Sequence, residues 1–221
     1  MTENQAREEM CRVGRSLFER GYVHASAGNI SIQLSVGFLI TPTDACLGFL
    51  DPARLSRVDP AGMHLSGERP SKALALHRKI YQAAKRFDPG TACIIHTHSA
   101  HSVALSLTTS EVELLPALTP YFVMKVGHVP LLPYHRPGDP ALAEKAAALI
   151  ENYGQAGCAP RAVMLQRLGP TVWHDSPGSA MAVLEELEET ARLALLTSGH
   201  VPLPLSDQQI DELRKVFGAR W

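Results

Sequence analysis

"TACIIHTHSAHSVALS", residues 91–106, carries an apolar run through three histidines into a helix start. Thr91 to Ile95 reads as a strand, and Ser99 to Leu107 as a short helix behind it. His96 and His98 are two residues apart, so on an extended chain their side chains share one face. That presents two imidazoles to one ion. Catalytic zinc usually takes three protein ligands and keeps one position open. An H-x-H pair by itself fits equally well as two polar residues bonded to backbone or solvent at a strand end. His101 belongs to the following turn and reads as a helix-surface or supporting residue.

On the N-terminal side, residues 4 to 20 form an amphipathic pattern with Met10, Val13 and Leu17 on one stripe, and Gly21 ends it. Ile30, Ile32 and Leu34 alternate as a half-buried strand does, and the turn at Gly37 leads to a second strand at Phe38 to Ile40. Two short strands flank Pro60-Ala61-Gly62. Residues 72 to 87 form a helix. On the C-terminal side, 112 to 135 is apolar and proline-broken, which predicts irregular structure and short strands. Residues 139 to 152 are helical. "RAVMLQRLGPTVWH" is a strand, a turn and a strand. A long helix runs from 178 to about 198, with Gly199 as its stop. Ser206 and Gln209 open a last helix with a capping box. The chain contains no repeat and no linker, so the whole, residues 1–221, reads as a single α/β domain.

Charge and composition narrow the function. The chain's 221 residues carry 21 basic and 22 acidic side chains, a net charge of -1, which gives nucleic acid no basic face to meet. Apolar stretches fall well short of the ~20 residues of a membrane span. The charged N-terminus lacks the apolar segment of a secretory signal. Cys11, Cys46, Cys93 and Cys158 form no CxxC pair and read as reduced, mostly buried thiols of a cytoplasmic protein.

Several loops are candidate ligand seats. Gly28 before Asn29 lets backbone amides approach an anion, although an ordinary turn has the same sequence. Thr43 and Ser71 place hydroxyls at element ends. Ser71-Lys72 opens a helix, a seat for phosphate or carboxylate, or a plain cap beside a solvated lysine. Tyr134 lies where an apolar segment meets a turn, a place from which a phenol can donate a proton, although a structural tyrosine is the commoner occupant of such a place.

In order, "ASAGNIS", "LITPT", "GERPSK", "CIIHTHSAHS", "PYHRPGD", "MLQRLGP" and "EELEETARLALL" resemble the class II aldolase/adducin family over nearly the whole length. The resemblance is closest to its 3-oxo-tetronate 4-phosphate decarboxylase-like subgroup. It implies a three-layer α/β fold whose central, mainly antiparallel sheet is flanked by helices. It also implies a homo-oligomer, in the family usually a C4 tetramer, with active sites between neighbouring subunits. A divalent metal, commonly zinc, is held in the family by three histidines, two of which match His96 and His98. The substrate is a small anionic sugar phosphate or sugar acid, its phosphate held by loops matching Gly28, Asn29, Thr43, Ser71 and Lys72. A tyrosine matching Tyr134 assists proton transfer.

Two departures fall on the chemistry. Ala73 stands where the family has its acid–base glutamate, and Leu168 stands where an Asn-His-Gly pattern supplies the third histidine. Asp44 replaces a glycine common in the sugar-phosphate aldolases. His135, where a tyrosine is more usual, is a candidate replacement ligand. Three readings follow. The chain is a metal-assisted carbon–carbon lyase, an aldolase or decarboxylase. Alternatively it is a catalytically degenerate member that binds a ligand or serves assembly. A third reading gives Gln166, Arg167 and Lys72 to a carboxylated substrate, since arginine suits bidentate carboxylate binding.

Overall fold

The computed structural model describes residues 1–197, 199 and 202–221. Eight strands form one sheet: β1 (Asn29–Gln33), β2 (Phe38–Ile40), β3 (Ser56–Val58), β4 (His64–Ser66), β5 (Cys93–His96), β6 (Leu131–Leu132), β7 (Ala162–Leu165) and β8 (Gly169–His174). Their spatial order is β4-β3-β2-β1-β5-β8-β7-β6. Every pairing is antiparallel except β6 with β7. The helices are α1 (Glu3–Glu19), α2 (Leu74–Ala84), α3 (Ala100–Thr108), α4 (Pro140–Gln155), α5 (Pro177–Leu196) and α6 (Asp207–Phe217).

Side-chain alternation along the strands builds two apolar layers. Cys93 and Ile95 of β5, Ile30 and Ile32 of β1 and Val172 of β8 meet Met10, Val13 and Leu17 of α1 and Val183, Leu184 and Leu187 of α5. Ile94, one residue out of phase, faces the other way with Val163 and Trp173, against Ile80 and Tyr81 of α2 and Leu142, Ala146 and Ile150 of α4. A central strand buried on both faces is therefore apolar throughout, as "CIIH" is. The period of two puts His96 on the Ile94 side, the face covered by α2 and α4.

Most expected elements form, with shifted ends. The strand expected at Thr91 to Ile95 is Cys93–His96 and carries the first histidine within it. Thr91 is instead tied into a turn, its N–H and hydroxyl both donating to Asp88 O. The helix expected from 72 starts at Leu74, because Ser71 Oγ accepts the N–H of Ala73 and holds the chain two residues longer outside the helix. α5 stops at Leu196 with Thr197 as its cap, whose N–H and hydroxyl both reach back to Leu193 O, so Gly199 is not the stop. The expected end near 198 touches Ser198, which lies outside the described residues. Between 112 and 135 the chain forms a π-helical turn at Phe122–Val126 and the two-residue β6. All four cysteines are free, but only Cys93 is fully buried. No helix among the described residues is long and apolar enough to cross a membrane.

Candidate active site

His96 closes β5 and pairs with Asn29 at the start of β1 on one side and Thr171 of β8 on the other. Its Nδ1 lies 3.0 Å from Pro170 O and 3.0 Å from Thr171 Oγ1. A carbonyl only accepts, so Nδ1 carries the proton and Nε2 keeps its lone pair for the cavity that His96 lines. This is the backing by which metal-binding histidines are usually oriented. Burial, with His98 and His77 nearby, pushes His96 down to about 3, so the ring is neutral at neutral pH. His98 is half-buried and lowered by burial and by His24. Its ring stands 5.2 Å from that of His96 at 71° and has no hydrogen-bond partner among the described residues. Rings radiating from one tetrahedral zinc, with Zn–N near 2.0–2.1 Å, have centroids roughly 5 Å apart. His96 thus has the tautomer, and the pair the ring spacing, that a shared divalent ion requires.

The chain before β1 passes close behind His96. Gly28 holds φ at +83, and a Cβ there would sit 2.8 Å from His96 O. Only glycine accepts both the left-handed conformation and that approach. Asn29, next to it, lines the cavity with a buried Oδ1 that has no partner. Thr43 and Ser71 reach the site on two loops held side by side: Thr43 N–H donates to Arg69 O, Ser71 N–H donates to Thr41 O, and Pro42 bridges Pro70.

Together these surround a cavity of about 360 Å³ lined by Gly28, Asn29, Thr43, Ser71, Lys72, His96 and His98. The volume falls within the roughly 300–1,000 Å³ of small-ligand sites. Two helices start at its rim. Ala73 is the N-cap residue of α2, and Asp139 is that of α4, where its Oδ1 accepts Ala141 N–H. Both helix N-termini and Lys72 favour an anion between them. Part of the lining is apolar, with Ala73, Leu76, Leu142, Leu165 and Leu168 among its residues. Ala73 and Leu168 are therefore wall residues of the same cavity as the histidine pair, at the two places where the family pattern has a carboxylate and an imidazole.

Two sequence candidates lie apart. His135 does not line the cavity; its Nδ1 donates to Asp139 Oδ2 at 3.0 Å and its Nε2 accepts from Lys145 Nζ at 3.0 Å. Both nitrogens are engaged, so His135 does not complete the pair within this chain. Tyr134 is exposed and outside the cavity, its backbone N–H donating to Gln166 Oε1. Arg167 is exposed and also outside, while Gln166 is spent on Tyr134 and Thr109, which removes the support for a carboxylate clamp built on them. His101 takes a supporting place: its Nδ1 lies 2.8 Å from the buried Glu188. Sequence reasoning passed over Asp139 and His24. Asp139 is the second carboxylate at the cavity besides Asp44, and the Asp-Pro helix start was its signal. The ring of His24 stands 6.4 Å from that of His98. Among the described residues no three His, Cys, Asp or Glu side chains are grouped as a metal site.

A central, mainly antiparallel sheet with helices on both faces, and an H-x-H pair closing its middle strand over an anion-favouring cavity, define a class II aldolase-type protein. The family model described as "Class II Aldolase and Adducin N-terminal domain" matches residues 8–195, and the chain belongs to this family. Over 226 residues it is 50% identical to the 3-oxo-tetronate 4-phosphate decarboxylase of Cupriavidus necator, covering all of this chain and 99% of the relative. It is 33% identical over 190 residues to the L-fuculose phosphate aldolase of Methanocaldococcus jannaschii, covering 86% of this chain and 96% of the relative. The crystal structure of YgbL from Klebsiella pneumoniae superposes with a TM-score of 0.88 at 41% identity, covering 97% of this chain and all of that one.

Proposed function

We infer that this chain is a metal-assisted lyase that decarboxylates a phosphorylated 3-oxo sugar acid, acting in the cytoplasm as a homotetramer. The observation that carries this reading is the convergence of His96, His98, Lys72 and the N-termini of α2 and α4 on one cavity. The relatives with named activities are enzymes, and the alternative of a degenerate binding or assembly member gains nothing from them.

The residues suit decarboxylation better than aldol cleavage or epimerisation. A 3-oxo acid loses carbon dioxide when the electrons of the bond to its carboxyl carbon flow into the neighbouring ketone. The enolate that remains then takes a proton at carbon. No C–H or O–H bond has to break first, so a base in the place of Ala73 is not required. An aldol cleavage begins by removing a hydroxyl proton, and epimerisation through an enolate by removing one from carbon; each needs such a base.

In this assignment Ser71, Lys72 and the N-terminus of α2 hold the phosphate. Asn29 and Thr43 orient the sugar hydroxyls. The apolar lining of Leu165 and Leu168 faces the carboxylate, where the charge disappears as carbon dioxide leaves. His96 and His98 would hold a divalent ion, zinc by family habit, and that ion would supply a Lewis acid for the oxygen on which negative charge develops. The proton at carbon comes from water or from Tyr134 of a neighbouring copy.

The test is release of carbon dioxide from 3-oxo-tetronate 4-phosphate by tag-free protein, with and without added zinc or manganese. Metal-dependent release is expected, and His96→Ala should abolish it. Unchanged release by His96→Ala, or no release by the metal-supplemented parent, would overturn the assignment.

A further inference from the structure

Two buried polar atoms beneath the cavity lack partners, and they lie on the same face of the sheet. Asn29 Oδ1 and His77 Nε2 are both shut off from solvent without a hydrogen bond among the described residues. In β1 the period of two puts Asn29 on the side of Ser31, whose Oγ stands 2.7 Å from His77 Nδ1 and 3.1 Å from Tyr81 Oη. His77 sits one turn into α2, its N–H donating to the carbonyl of Ala73, a residue that lines the cavity. Tyr81, a turn further on, marks the opposite direction: its hydroxyl reaches Ser31 O and Ala92 O, and Ala92 O also accepts Gln33 N–H at the far end of β1. Helical side chains lean toward the N-terminus of their helix. The imidazole of His77 therefore lies on the Asn29 side of Ser31, below Asn29 and His96, which pair across β1 and β5.

The available protons decide how this pair works. Burial pushes His77 down to about 3, so the ring is neutral at neutral pH and carries a single N–H. The hydroxyl of Tyr81 gives its one proton to the carbonyl of Ser31 at 3.0 Å, so toward Ser31 Oγ it can only accept. The Ser31 hydroxyl then donates either to Tyr81 Oη at 3.1 Å or to His77 Nδ1 at 2.7 Å, and the shorter contact claims the proton. His77 is thereby the Nε2–H tautomer, a donor. An unpaired buried donor and an unpaired buried acceptor are each costly, and one link between them satisfies both. Asn29 lines the cavity, and with Oδ1 held inward its Nδ2 is the end that faces a ligand.

We propose that His77 is a positioning residue of the active site: its Nε2–H holds Asn29 Oδ1, directly or through one water, so that the Asn29 amide meets the substrate as a donor of N–H bonds to an oxygen. Ser31 and Tyr81 act behind it by fixing the tautomer. The opposite tautomer would reverse the site. A lone pair on His77 Nε2 would draw the amide NH2 inward and present Oδ1, an acceptor, to the substrate. His77 itself does not line the cavity and touches no substrate; it acts through Asn29 alone. The consequence for turnover rests on the lyase reading above, whereas the tautomer and the amide orientation do not.

The experiment is proton–nitrogen NMR of full-length protein isotope-labelled at the nitrogens of histidine and asparagine, beside carbon dioxide release from 3-oxo-tetronate 4-phosphate. His77→Asn and His77→Gln assign the His77 ring, Asn29→Ala assigns the Asn29 amide, and circular dichroism checks folding. The parent's His77 should carry its proton on Nε2. Glutamine keeps a donor near the place of Nε2, while asparagine keeps a polar group only near that of Nδ1. The Asn29 NH2 resonances should therefore move in His77→Asn and stay close to the parent's in His77→Gln. His77→Asn should lower kcat/KM by about 10-fold, the order of one hydrogen bond, and His77→Gln should recover most of that loss. In an Asn29→Ala background His77→Asn should cause no further loss. A proton on Nδ1 in the parent, or equal losses in both His77 variants that persist in the Asn29→Ala background, overturns the role of His77. A parent that releases no carbon dioxide overturns the assigned reaction, and the tautomer and the Asn29 resonances still decide for or against His77.

Discussion

Arg167 holds φ at +66 in the three-residue turn that joins β7 to β8, a conformation in which asparagine is far more at ease than arginine. The family's Asn-His-Gly pattern falls on Arg167, Leu168 and Gly169, so the backbone explains the first and last members of that pattern independently of chemistry. Gly169 has φ at +145, and a Cβ there would lie 1.9 Å from Thr97 O. The same logic holds at Asp44, with φ at +58 where the aldolases tend to have glycine. Replacing Arg167 by asparagine should therefore stabilise the fold by about 1 kcal/mol, since the exposed side chain makes no hydrogen bond or ion pair among the described residues to offset the strain. Urea unfolding of the two proteins measures this, and a variant less stable than the parent would show that the turn is shaped by something other than Arg167. These departures are visible in the sequence as residue identities. Their backbone cause is not, because a φ angle belongs to the folded turn rather than to the letter. His24 was missed for a related reason: nothing in "YVHASAGN" says that the turn brings its histidine to His98.

At the scale of elements, the segment after the H-x-H pair is fastened by a carboxylate from another layer. Glu188 of α5 is 4% exposed. Its Oε1 accepts from His101 N–H at 2.8 Å, and its Oε2 from Ser102 N–H at 3.0 Å and Ser102 Oγ at 2.6 Å. These are orphan donors at the N-terminus of α3, which has no capping side chain of its own. Glu188 thus caps α3 from a helix 86 residues away and sets the exit direction of the chain from His98. Truncation to alanine should cost about 1–3 kcal/mol, the range for leaving buried donors unsatisfied, and should also loosen metal binding. A thermal or urea midpoint within error of the parent would sink this account. In the sequence Glu188 is one of four glutamates in "EELEE" and is indistinguishable from solvated neighbours. Periodicity in contrast makes α1, α5 and the central strands legible, and the Ser206–Gln209 capping box forms as its spacing predicts. The β6 strand was legible only as an apolar, proline-broken stretch. Two residues have no period, and its strand conformation comes from pairing Leu131 with Met164 and Leu132 with Leu165.

For the whole molecule, the position of Tyr134 is the informative observation. It is 60% exposed and does not line the cavity of its own chain, although its segment ends at Pro137, Gly138 and Asp139, which do. Under the proposed function, a proton donor in that place would serve a neighbour's cavity rather than its own. Large apolar side chains also stand open at Phe49, Val112, Tyr121 and Phe217, more than a small monomer needs to expose. Sedimentation equilibrium should accordingly return about four times the chain mass of 24.0 kDa, as a cyclic tetramer requires. A sharper measurement mixes two defective proteins. Tyr134→Phe removes the proton donor, with an expected loss of about 10²–10⁴ in rate. His96→Ala removes a metal ligand. When the two are unfolded and refolded together, each shared site draws His96 from one copy and Tyr134 from the next. About a quarter of the sites then receive both intact residues, and activity should return to about that fraction of the parent's. Recovery cannot arise if each chain builds its site alone, because no chain in the mixture carries both residues. A mixture as inactive as its components, in particles shown by mass to be hybrid tetramers, would assign the proton to water and leave Tyr134 as surface.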